Sequence, residues 1–210
     1  MDSEGFSELL IRMYGVVPEV GVTHSAGGRF SEEYDDECIR QMLRMAQATQ
    51  LCTKCNTAKA GDDFEQEDLE RYLLAEFDCV PVFLEPALHK TFYFGFCRSY
   101  LWPTFHNVLK SRCFEQRVWR AYCTANRKFA DKVIEVYDVN DIVWVHDYHL
   151  MLLPMLLRQA REHLKIGWFL HTPWPSSEVF RTLPMRKEIL QGLLGADLVG
   201  FHVYDYAKHF

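Results

Sequence analysis

From Cys79 onward the apolar positions fall into two alternating rhythms. Between Gln116 and Tyr137 the residues Val118, Tyr122, Ala125, Phe129 and Val133 recur at steps of three and four. That is the period of an amphipathic helix. Val139-Asn140-Asp141 supplies a turn, and the short run Ile142–Val145 then predicts a buried strand. The apolar segment Leu150–Leu157 predicts a helix, with Pro154 fitting a first turn or producing a kink. A second strand is expected over Ile166–Leu170. The segment LPMRKEILQGLL predicts a helix that Pro184 starts and Gly195 stops, and a third strand follows over Ala196–His202. Ahead of all these, CVPVFL, which begins at Cys79, reads as a short β-rich run. Near-continuous apolar strands alternating with helices predict an α/β fold with a parallel sheet covered on both faces.

Residues 1–78 have a different grammar and form a separate N-terminal region. Two polar helical patterns, Glu32–Gln47 and Phe64–Phe77, flank a Cys-, Lys-, Gly- and Asp-rich stretch near 52–63. That stretch lacks apolar periodicity and is expected to be a mobile surface loop. The α/β unit then occupies 79–210. The chain stops at YDYAKHF, inside the helix expected after the last strand, which predicts a truncated product or fragment.

Composition narrows the class. With 49% hydrophobic and 25% charged residues the chain suits a soluble globular core. A net charge of −6 argues against a general nucleic-acid binder. No basic-then-apolar leader opens the sequence and no apolar run approaches a membrane span, so the cytoplasm is the expected compartment, with no membrane partner. Seven cysteines fit it as buried thiols. CTKC, Cys52 to Cys55, lacks the second pair that a zinc ribbon needs, and its flanks read as loop rather than the strand and helix of a redox site. These are expected to be ordinary loop cysteines.

The chemistry concentrates where the strands end. In parallel sheets ligands sit outside the carboxyl ends of the strands. Three successive ends here read HDYH, HTPWPSSE and FHVYDY. All are rich in donors, acceptors and aromatics, as one wall of a binding cleft would be. Asp147 is suited to accept two hydrogen bonds from a pair of sugar hydroxyls, or to cap the next helix. His171, before Thr-Pro, is suited to a ligand or to bracing its loop. His146, Asp147, His149 and His171 also contain metal-ligand types, but not at HxH, HxxE or HxxxH spacing, and no metal is expected. In FYFGFCRSYLWPTFH, Phe94, Phe96 and Phe105 are expected in the core. Tyr93 and Trp102 each offer an apolar face and a polar tip suited to a pyranose ring. Gly27 and Gly28 of SAGGR form a possible phosphate-cradling turn, or a plain one.

Three stretches together, VWVHDYHLMLLPMLLR, FLHTPWPSSEVFRTLPMRKEILQGLLGADLVGFHVYDYAKHF and FYFGFCRSYLWPTFH, closely resemble the trehalose-6-phosphate synthases, glycosyltransferase family 20. The resemblance runs from about Cys79 to Phe210. It implies the N-terminal half of a two-domain GT-B fold, with a Rossmann-like parallel sheet carrying the acceptor side. It also implies transfer of glucose from UDP-glucose to glucose 6-phosphate with retention, without metal or other cofactor. By the same resemblance, Tyr93 and Trp102 line the glucose 6-phosphate pocket. Asp147 binds acceptor hydroxyls and helps place the attacking one, His171 lies beside the transferred glucose, and Gly27 and Gly28 stand where the family has its glycine loop.

The departures are specific. The family pattern has Asn at the positions of Phe94 and Arg98. The family's Asn-Arg strand exit and its early Trp-bearing segment have no counterpart, and the nucleotide-binding half is missing. Two readings follow. One is a synthase-type glycosyltransferase, inactive as this isolated fragment. The other is a non-catalytic sugar-phosphate-binding or regulatory partner of a full-length synthase subunit. A metal-dependent hydrolase built on HDYH and His171 is a third. A dehydrogenase is disfavoured because no GxGxxG follows a strand.

Overall fold

The computed structural model describes residues 8–11, 63–77, 79–108, 113–139 and 141–210. The chain divides into two units, Arg12–Pro81 and a second made of Met1–Ile11 with Val82–Phe210. In the first, helix α1 (Asp63–Phe77) occupies the polar pattern expected from Phe64. The Cys79 amide then donates to the Leu73 carbonyl at 3.1 Å. The helix expected over Glu32–Gln47, the loop at 52–62, Gly27, Gly28, Cys52 and Cys55 lie outside the described residues.

The second unit is built on a four-stranded parallel sheet. Its strands β1 (Glu8–Ile11), β2 (Ile142–His146), β3 (Lys165–Leu170) and β4 (Leu198–Phe201) lie side by side in that order. Leu9 pairs with Val143, Val143 with Ile166, and Gly167 with Leu198. Strand β1 was not signalled by periodicity, because four residues are too few for alternation to register. Strand β3 is buried from Ile166 to Trp168 and again at Leu170, as a strand covered on both faces should be. Strand β2 instead alternates, with Val143 and Val145 buried and Ile142, Trp144 and His146 half-buried. CVPVFL forms no strand; residues 79–85 carry no regular structure, and Pro81 lacks the amide a ladder requires.

The helices explain how the sheet's carboxyl edge is buttressed. Helix α2 (Pro86–His89), a π-helical stretch (Lys90–Leu101) and α3 (Trp102–Phe105) run on without a break. The wide turn shows in a side chain too, since the Ser99 hydroxyl donates to the carbonyl of Phe94, five residues back, at 2.8 Å. Helix α4 (Gln116–Val136) buries the whole expected stripe from Val118 to Val133. It packs against the π-helical stretch through rings, with Phe96 4.8 Å from Tyr122 and 5.3 Å from Trp119.

After β2 comes a 3₁₀ turn (Tyr148–Leu150) and then α5 (Leu153–Ala160). The expected helix therefore starts later, and Pro154 sits in its first turn, where a missing amide costs nothing. Helix α6 (Ser177–Phe180) and α7 (Arg186–Leu193) follow β3, and α8 (Tyr204–His209) follows β4. Helix α7 lies close on the start of α5. A Cβ at Gly192 would overlap the Met151 carbonyl oxygen, and one at Gly195 would overlap the Met155 backbone. Gly195 thus follows the helix end as expected, but close approach is what requires it. Among the described residues no helix is long and apolar enough to cross a membrane.

Candidate active site

Strand β2 leaves the sheet through Asp147. Its amide donates to the Phe169 carbonyl at 2.8 Å, and its carbonyl accepts the Trp168 indole N–H at 3.1 Å. Both of its peptide groups are therefore tied to β3. Asp147 has φ 67° and ψ 177°, a region that belongs essentially to glycine. Holding a residue with a side chain there costs roughly 1–3 kcal/mol, and such strain persists only where the surroundings over-determine it.

The next residues are pinned from the other side by α4. The Tyr122 hydroxyl donates to the Tyr148 carbonyl at 2.8 Å and accepts from the Met151 amide at 3.0 Å. Asn126 donates to the His149 carbonyl and accepts from the Leu152 amide, both at 3.2 Å. Two buried side chains thus satisfy the backbone of HDYHLML at successive points, so the turn cannot relax around Asp147.

The Asp147 side chain is buried, and burial pushes its carboxyl up to about 6; the amides of Tyr148 and His171 and the nearby His106 partly offset this. It makes no capping hydrogen bond to the following turn, and Oδ1 has no partner in the protein. The capping role left open by the sequence is therefore not taken. His149 Nδ1 lies 3.8 Å from Asp147 Oδ2, too far for a hydrogen bond. Burial lowers His149 to about 4, so near neutral pH it carries no charge and the contact is not an ion pair. His149 Nε2 and Thr172 Oγ1 are likewise buried without a partner. Orphaned polar atoms at one strand edge are what a site shaped around a polar ligand or ordered water leaves behind.

The other expected site residues reach Asp147 through intermediaries that the sequence did not reveal. Tyr93 lies parallel to His149 with ring centroids 5.7 Å apart, and parallel to His89 at 5.6 Å. Trp102 is 40% exposed and stacks on His106 at 4.2 Å, and His106 acts electrostatically on the Asp147 carboxyl. His171 follows β3, and its Nε2 stands 3.0 Å from His146 Nδ1. Tyr93, Trp102, Asp147 and His171 are thus linked around one carboxylate, while Gly27 and Gly28 cannot be placed.

One aromatic is not where it was expected. Phe94 is 52% exposed rather than in the core and meets Tyr93 edge-on at 5.0 Å. The buried positions of the π-helical stretch are Phe92, Phe96, Cys97 and Leu101, which leaves Phe94 on the outer side. Arg98 is exposed and acts electrostatically on the Tyr148 hydroxyl, so its charge is felt at the same turn. Among the described residues no group of three or more His, Cys, Asp or Glu could hold a metal ion. His146 faces His171 while His149 stacks on Tyr93 and Tyr148, so the metal-hydrolase reading finds no ligand set among the described residues.

The model of glycosyltransferase family 20 matches residues 24–210. A probable alpha,alpha-trehalose-phosphate synthase (UDP-forming) 11 of Arabidopsis thaliana is 53% identical over 152 residues, covering 70% of this chain and 18% of that protein. Among solved structures, the N-terminal domain of Candida albicans trehalose-6-phosphate phosphatase matches with TM-score 0.67 and 35% identity, over 72% of this chain and 32% of that one. A UDP-forming alpha,alpha-trehalose-phosphate synthase from Burkholderia xenovorans, in complex with glucose-6-phosphate, matches with TM-score 0.58 and 31% identity, over 60% and 28%. The chain spans 18% to 28% of the length of the curated relatives it matches. The fold is accordingly the parallel α/β arrangement expected for the N-terminal half of a GT-B enzyme. With the family model covering all of the α/β unit from Val82 and much of the region before it, the chain belongs to glycosyltransferase family 20.

Proposed function

We propose that the edge around Asp147 receives glucose 6-phosphate as the acceptor in a UDP-forming trehalose-phosphate synthase reaction, with UDP-glucose as donor. One observation carries the reading. A buried carboxylate with an unpartnered oxygen is held in a strained backbone at the carboxyl end of a central parallel strand. An ionised carboxylate there accepts from sugar hydroxyls and orients the attacking one. Tyr93 and Trp102 line the acceptor, and His171 stands beside the transferred glucose. Catalysis on this side is positioning and electrostatic stabilisation. The glucose-6-phosphate bound in the Burkholderia xenovorans structure supports the acceptor. The compartment we propose is the cytoplasm, supported by the free thiols of Cys97, Cys113 and Cys123.

A labelled sample titrated with glucose 6-phosphate tests this. The largest resonance shifts are expected at the Tyr93 and Asp147 amides, the Trp102 indole and the His171 ring. Absent shifts, or shifts centred elsewhere, contradict it.

A second reading is favoured by Phe94 and Arg98 at the rim and by the likeness to a domain of a protein named as a phosphatase. In it the chain binds sugar phosphate without catalysing transfer and associates with a full-length synthase subunit. Binding without UDP release, together with co-purification with such a synthase, supports this reading over the first.

A further inference from the structure

Three buried polar atoms along the carboxyl edge of β2 and β3 have no hydrogen-bond partner among the described residues: Asp147 Oδ1, His149 Nε2 and Thr172 Oγ1. The function proposed above uses the first. The other two share its neighbourhood. The amide of His171, the residue before Thr172, donates to the Asp147 carboxyl, and His149 Nδ1 lies 3.8 Å from Asp147 Oδ2.

The fold fixes both side chains without using these atoms. The His149 ring is buried and stacks on Tyr93 at 5.7 Å and on Tyr148 at 4.2 Å, while Asn126 holds its carbonyl at 3.2 Å. Thr172 is only half-buried, yet its hydroxyl oxygen is shut away from water. A buried hydroxyl without a partner costs stability, and such a cost persists where a ligand or an ordered water offsets it. The three atoms lie close under the surface, since Tyr93, His106, His171 and Thr172 are half-buried and Trp102 is exposed.

Their donor and acceptor types select the ligand. An ionised carboxylate only accepts, a threonine hydroxyl donates and accepts, and a neutral imidazole nitrogen does one or the other according to tautomer. A hydroxyl group donates and accepts, so it answers all three in either tautomer of His149. A phosphate group only accepts, and the Asp147 carboxylate repels it.

We propose that Thr172 Oγ1 and His149 Nε2 join Asp147 in binding the hydroxyl-bearing end of the sugar phosphate. The inference rests on the function proposed above and adds two contacts to it.

Calorimetric titration of glucose 6-phosphate, run beside a denaturant titration of each protein, tests this. Thr172→Val keeps the shape of the side chain and removes the hydroxyl. It should weaken binding roughly three- to tenfold, as loss of a hydrogen bond between uncharged groups does, while the denaturation midpoint stays level or rises. Thr172→Ser, which restores the hydroxyl, should bind as the wild type does. His149→Phe keeps a ring in the stack and should weaken binding similarly, with no lowered midpoint near neutral pH. A lowered midpoint in Thr172→Val means that the protein or an ordered water already satisfies the hydroxyl, and it overturns the proposal. Unchanged affinity in Thr172→Val or in His149→Phe also overturns it. Should one of these two fail to fold, the other decides. A wild type that binds no glucose 6-phosphate overturns the functional reading and this inference with it, whereas binding that neither substitution weakens overturns the inference alone.

Discussion

Trp168 donates its indole N–H to the carbonyl oxygen of Asp147 at 3.1 Å, and the bond crosses from β3 to the exit of β2. It holds Asp147 where its backbone is least comfortable, at φ 67°. Asp147→Gly should relieve that strain. Allowing for the greater freedom of glycine in the unfolded chain, the net gain is on the order of 1 kcal/mol. A denaturant titration should therefore show a raised midpoint, while sugar-phosphate binding is lost. A lowered midpoint would mean that Asp147 is not strained.

Asp147 and His149 predict a pH dependence that only their variants expose. The folded Asp147 carboxyl titrates near about 6, above its unfolded value, so the folded state holds a proton that the unfolded state has lost. Its contribution is fully present at low pH and is lost as pH rises from about 4 to about 6. The folded His149 titrates near about 4, below its unfolded value, so the unfolded state takes the proton first and stability falls as pH drops through the same window. Each slope is up to about 1.4 kcal/mol per pH unit and the two oppose. In the wild type these two contributions should nearly cancel between pH 4 and 6, leaving the fall on acidification that His89, lowered by burial, adds. Asp147→Asn should lose stability on acidification, and His149→Phe should gain it. Parallel profiles for all three would contradict the pairing.

Tyr122 supports the turn from below. Tyr122→Phe leaves the Tyr148 carbonyl and the Met151 amide without their partner. The expected cost is roughly 1–3 kcal/mol of stability. Because the turn carries Asp147, affinity for the sugar phosphate should fall too, at temperatures where the variant remains folded. Unchanged affinity would make the turn rigid without Tyr122.

Trp102 separates binding from packing. It is 40% exposed, so Trp102→Ala should change thermal stability little while weakening sugar-phosphate affinity by roughly 1–3 kcal/mol. The fully buried Phe105 gives the reverse contrast, because Phe105→Ala should cost roughly 3–5 kcal/mol of stability. A large stability loss in Trp102→Ala would make it a core residue.

What could be read in the chain follows from what each signal depends on. The stripe from Val118 to Val133 and the strands ending at His146 and Leu170 rest on local periodicity, which a sequence displays directly. The candidate site residues Tyr93, Trp102, Asp147 and His171 are marked in the sequence by strand exits, by aromatics with a polar tip and by motif resemblance, and the structure links them through His149, His106 and His146. Those links depend on ring positions in space, which no spacing rule encodes. Asn126 left a usable trace, since it is a polar residue four positions from Tyr122 on the buried side of α4. Phe94, two residues from both Phe92 and Phe96, falls on the side of the helical stretch away from those buried rings, a placement that density of aromatics alone does not register. CVPVFL shows the same limit for strands, where propensity needs a partner edge to become structure.

Calorimetric titration of glucose 6-phosphate into the wild type and Asp147→Asn decides whether a sugar phosphate binds at Asp147. UDP-glucose serves as the comparison ligand. Saturable binding to the wild type is expected, weakened tenfold or more in Asp147→Asn, in line with a loss of about 1.5–3 kcal/mol for a hydrogen bond to a charged group. No binding to the wild type, or equal affinity in both proteins, would contradict it.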